Sequence, residues 1–81
     1  MEQRQINPND LAIFRQLEID SDNLSMFWSS PATTSAERIQ ADIKMGEIQV
    51  ALIAHEEDVR KREGLKETDE IDRVTGFITE R

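Results

Sequence analysis

With 81 residues, no cysteine and one histidine, the chain suffices for one small domain that has no disulfide and no thiolate metal site. A zinc site would have to rest on carboxylates, so no metal is expected. A net charge of −7, from 17 acidic against 10 basic residues, repels DNA, RNA and anionic membrane surfaces.

No apolar run is long enough to span a bilayer, and no basic-then-apolar start resembles a signal peptide, so a cytoplasmic protein is expected. At this size folding buries only ~60% of the unfolded chain's surface. The core is expected to be thin.

Met1 to Ile6 alternates weakly and is expected as an edge strand. Asn7-Pro8-Asn9-Asp10 is a helix start: Asn7 can cap, Pro8 suits the first helical position, and Asp10 sits where the helix dipole favours an anion. Leu11, Phe14 and Leu17 share one face, with Ile13 beside it. Asp20-Ser21-Asp22-Asn23 is loop chemistry, which places the helix end near Glu18. Leu24 to Pro31 holds the only Trp, and Pro31 argues against a long helix through it. Thr34-Ser35-Ala36-Glu37 has the spacing of a capping box, and Ile39 and Ile43 extend one face of a second helix, which Gly46 would close.

Ile48 to Ala54 is a short, nearly continuous apolar run, expected as a buried strand. Residues 55–73 are almost all polar or charged and predict a solvated loop or frayed helix. Val74 to Thr79 is the second strand. The expected fold is therefore α+β, a single domain over 1–81 in β-α-α-β-β order. A competing parse is all-α with three helices. It runs one helix from Thr34 to Glu63, with Ile39, Ile43, Val50 and Ile53 on a loose seam, and a further helix through Ile71, Val74 and Ile78. Gly46 and Gly76 weigh against it.

In the α+β order, several strings resemble the N-terminal half of the GNAT superfamily of N-acetyltransferases, in its ribosomal-protein-acetylating branch. They are Ile6-Asn7-Pro8-Asn9-Asp10-Leu11, Phe27-Trp28-Ser29-Ser30-Pro31 with Thr34-Ser35-Ala36-Glu37, Val50-Ala51-Leu52-Ile53-Ala54 and Val74-Thr75-Gly76-Phe77-Ile78. The resemblance implies an acceptor-side half of an acyl-CoA N-acyltransferase fold. It also implies that Met26, Phe27, Trp28 and Ser29 line an acceptor pocket.

The pattern departs from the family at 55–73, which is longer than the usual hairpin. The sequence also holds no glycine-rich loop to cradle the cofactor's pyrophosphate, since Gly46, Gly64 and Gly76 lie far apart. No cofactor-binding residue is assigned, and acetyl-CoA is expected only if a missing half is supplied. An open edge at Val74–Thr79 is expected to recruit a protein partner or a second copy.

Each residue singled out also has a plainer reading. Trp28 would cap the core. His55, followed by Glu56-Glu57-Asp58, has the residue type of a general base, but a solvated strand-end histidine accounts for it without any nucleophile. Ser29 and Ser30 are loop residues. The carboxylates at 56–58 and at Asp69, Glu70 and Asp72 lack calcium-loop spacing and suit local ion pairs. The rival function is a small acidic helical protein-interaction module without enzymatic activity.

Overall fold

The structure, a computed structural model, describes residues 4–81, and Met1–Gln3 of the predicted first strand lie outside it. It is a long antiparallel helical hairpin, 50 × 21 × 19 Å, closed at one end by a small sheet. Helix α1 spans Pro8–Ser29 and α2 spans Ser35–Glu63. Strands β1 (Glu70–Ile71) and β2 (Ile78–Thr79) follow. Helix makes up 65% of the described residues, which overturns the β-α-α-β-β expectation. The all-α alternative is right about α2 and wrong about a third helix at 71–78.

The start of α1 is as predicted. The Asn7 side chain accepts from the Asn9 backbone N–H at 2.8 Å, with Pro8 behind it and Asp10 in the first turn. The predicted end at Glu18 is not. The helix runs through Asp20–Asn23 because Leu17, Ser21 and Leu24 keep a half-buried seam against α2, and tertiary packing outweighs the loop preference of those residues. It stops at Ser30, which turns extended at φ −66°, ψ 133°, as a residue ahead of proline prefers.

The capping box at the start of α2 is complete: Glu37 N–H donates to Thr34 Oγ1 at 3.2 Å, and Thr34 N–H to Glu37 Oε1 at 3.1 Å. Those bonds to the Thr34 backbone and hydroxyl hold the Glu37 carboxyl below its ordinary range. Gly46 does not close this helix. Gly64 does, left-handed at φ 66°, with Leu65 N–H reaching back to the Arg60 carbonyl at 2.9 Å.

The predicted strand at 48–54 is thus the middle of α2. Its apolar run splits between two opposite helix faces, Ile48 and Leu52 inward and Val50 and Ile53 outward. A short apolar run has no period of its own that separates strand from helix. The uninterrupted stretch from the capping box to Gly64 decides it.

Residues 76–79 lie between β1 and the segment around Gln5: the sheet is a two-stranded ribbon, and an isolated bridge covers its other side. On one side Ile71 pairs with Ile78 and Glu70 with Thr79. On the other side Gln5 bridges Phe77; Ile6 N–H donates to the Gly76 carbonyl and Ile78 N–H to the Arg4 carbonyl, both at 2.9 Å. The edge expected to be open there is therefore occupied within the chain. Only two residues of the predicted strand Val74–Thr79 are regular strand. Val74 and Thr75 instead sit in a turn whose N–H groups, at 2.8 and 3.1 Å, both donate to Asp72 Oδ1.

The core is Ile6, Phe14, Leu52, Val59 and Ile78, with Leu11, Leu17, Ile48, Leu65 and Ile71 packed against it. All of it lies in the half of the hairpin that carries the ribbon. Toward the tip Ala41 is, among the described residues, the one fully buried apolar side chain.

Candidate functional site

At the base, polar groups close on one another. Asp10 is only 6% exposed, and both its oxygens accept from Arg62, at 2.9 Å each. Arg62 also holds Asp58 at 2.7 Å, its i−4 neighbour. The bidentate grip of Asp10 keeps this guanidinium still more firmly protonated than usual. His55 Nε2 lies 3.0 Å from the Asp10 backbone oxygen, and because a carbonyl only accepts, Nε2 carries the proton. The imidazole meets Phe14 edge-on at 4.5 Å. The Arg73 guanidinium lies over the Phe14 ring, 5.7 Å from its centre, and pairs with Glu56 at 3.5 Å.

This arrangement is a clasp between helices and ribbon. Among the described residues no buried polar side-chain atom lacks a partner. His55 is therefore neither the solvated strand-end residue expected nor a base aimed at a nucleophile. It is half-buried inside α2, with its hydrogen bond spent on backbone. The carboxylates at 56–58 do form local ion pairs, Glu56 with Arg60 at 3.9 Å and Asp58 with Arg62. Asp69 and Asp72 instead cap turns, and both titrate below the ordinary carboxylate range. For Asp69 the cause is backbone N–H groups from Lys66 and then Arg81, for Asp72 those of Val74 and then Thr75. No group of three or more His, Asp or Glu able to hold a metal ion occurs among the described residues.

The four acceptor-pocket candidates occupy the last turn of α1, and helical spacing separates them. Phe27 lines an open groove of about 330 Å³ between the helix tips, with Leu24, Ala41 and Lys44. Met26 points away from it and is 72% exposed. Trp28 lies beneath the Arg38 guanidinium at 5.3 Å, and Arg38 Nε donates to its carbonyl. Ser29 donates back to the Ser25 carbonyl at 3.0 Å. They do not converge on one pocket, and Trp28 caps the tip rather than the core.

Among the described residues, the outer face of α2 carries a line of large apolar side chains with no partner. Ile39, Ile43, Val50 and Ile53 are 52–68% exposed. They sit at spacings of four, seven and three residues, which makes one stripe along a helix. The buried residues Ala41, Leu52 and Val59 lie on the opposite side. The competing parse named these four residues as a loose seam without assigning the side of the helix they occupy. The structure turns that seam outward. The signal that was missed is the second series, Ala41, Met45, Ile48, Leu52, His55 and Val59, which faces α1. Neither helix of the hairpin is long and apolar enough to cross a membrane.

Searches of family models, of curated proteins and of solved structures find no match to this chain. The acetyltransferase resemblance has no support beyond the short strings that carried it, and the strand order on which it rested is absent.

Proposed function

We propose that this chain works by binding another polypeptide through the outer face of α2, without chemistry of its own. The observation that carries this reading is the exposed stripe of Ile39, Ile43, Val50 and Ile53 on a helix whose other side is already packed. A soluble surface rarely spends four large aliphatics on one line unless something covers them. A helix presenting apolar positions at these intervals is a familiar way to engage another helix. The polar groups at the base support the same reading, since they are consumed by one another and leave none poised for acid–base work.

The test immobilises the wild-type chain and a variant carrying Ile39→Glu and Ile53→Glu, both checked for helix by circular dichroism. Each is challenged with purified chain and with an extract of the source cells. A polypeptide held by the wild type and released by the variant is expected. Equal retention by both, or none by either, overturns the reading.

A further inference from the structure

The spacing of the stripe suits a second copy of itself. Adding Ala36 and Gly46, which are also exposed, gives apolar or small residues at 36, 39, 43, 46, 50 and 53. The steps are three, four, three, four and three, the same in either direction. We infer that the outer face of α2 pairs with the same face of a second copy, antiparallel, about a two-fold axis between Lys44 and Met45. The inference rests on the binding role proposed above and specifies the partner.

In this register a large residue faces a small one at the centre and at the ends of the seam, with two aliphatics paired in between. Ile43 of each copy lies over Gly46 of the other, Ile53 over Ala36, and Ile39 over Val50. Gly46 thereby acquires a reason. It sits in the middle of a long helix, where glycine is unfavourable, and a Cβ there would meet nothing within 4 Å in the single chain. Nothing among the described residues requires it. A partner's isoleucine seated over it does.

Charge agrees. Two copies of a −7 chain repel unless their carboxylates are kept apart. On one flank of the stripe the register sets Glu47 opposite Gln40, and on the other Asp42 opposite Gln49, so each carboxylate faces an amide. Length agrees as well. With α2 beginning at Ser35, the two helices overlap from residue 35 to residue 54. The apolar series stops at Ile53, and its next position, Glu57, falls beyond the partner's helix. The stripe is apolar where a second copy would cover it and charged where it would not.

The seam is about 26 Å long and one helix wide, at the small end of stable interfaces, so micromolar association is expected. Sedimentation of the whole chain from about 5 to 500 μM tests it. The mass should rise from 9.3 kDa toward twice that value. A monomer throughout overturns the inference, while a different protein released by the Ile39→Glu, Ile53→Glu variant would leave the binding role standing.

Orientation is read from a spin label on Lys61→Cys, the only cysteine then present. The antiparallel register puts the two labels about 50 Å apart along the axis, whereas a parallel pair brings them within about 20 Å and overturns it. Gly46→Leu separates the dimer from the monomer. It fills the space the partner's Ile43 needs, so dimerisation should weaken about tenfold or more. The dilute monomer should melt no lower than wild type. A dimer as tight as wild type in this variant overturns the register.

Discussion

Leu52 and Ile53 are neighbours in sequence and nearly equal in volume, yet Leu52 is 1% exposed and Ile53 is 55% exposed. The difference runs the length of α2. Its inner face meets Phe14, Leu17 and the ribbon, and its outer face meets nothing among the described residues. The same amino-acid types therefore do different work on the two sides. Inside, they supply the transfer free energy that offsets chain entropy. Outside, they add little to the monomer and are available for association.

The sharpest way to break this contrast is to truncate one residue from each face. Phe14→Ala should cost about 3–5 kcal/mol, because Phe14 is fully buried and its neighbours cannot close the cavity. Ile53→Ala should change the dilute monomer by less than about 0.5 kcal/mol. Urea titrations of the two variants below the dimerisation range measure both. Comparable losses would mean that the outer face is already covered in the single chain.

The two glycines offer the next contrast. Gly76 has φ 79°, and a Cβ there would meet Leu11 Cδ2 at 3.2 Å and Ile6 Cγ1 at 3.3 Å. Gly76→Ala should destabilise by roughly 1–3 kcal/mol. Gly46→Ala should stabilise the dilute monomer by up to about 1 kcal/mol. Opposite signs in thermal melts are the expected outcome.

Removing the cap, Thr34→Ala, tests the tip half of the hairpin, where little apolar packing compensates. A loss of about 1 kcal/mol is expected, with faster amide exchange confined to the first turn of α2.

The smallest effect distinguishes the ribbon from the helices. Asp69 and Asp72 have folded pKa values below their unfolded ones. Their contribution is present above the unfolded carboxylate value and fades as pH falls through the folded values. Below about pH 4 the ribbon should loosen before the centre of α2 does. Amide shifts of Val74, Thr75 and Arg81 followed by NMR during acid titration would report this. Simultaneous loss of all signals would contradict it.

Local chemistry was the legible part of this sequence. Asn7-Pro8 starts a helix and Thr34 to Glu37 forms a capping box because those signals depend only on residues within one turn. The expectation that Pro31 keeps Leu24 to Pro31 out of a long helix fails: α1 runs on to Ser29 and ends only just before the proline. Two other readings failed for one reason. Asp20–Asn23 looks like a loop, and Ile48–Ala54 looks like a strand, only when each window is judged by itself. In the fold each lies in a helix held by packing from the other, and that packing is a property of residues some thirty positions apart. The candidate site followed the same division. Ile39, Ile43, Val50 and Ile53 were recognisable as a series, but not the side of the helix they would occupy.

By itself, then, the sequence determined where each helix begins, that Ile39 and Ile43 share one face of α2, and that the chain is acidic without a cysteine-based staple. Those follow from capping, periodicity and charge, which are local or additive. Which of α2's two apolar series is buried was decided only in the tertiary structure. So were the central place of residues 76–79 and the use of Asp10, Arg62 and His55 as a clasp. Each depends on where α1 and the ribbon dock, and only one face of a helix can meet them.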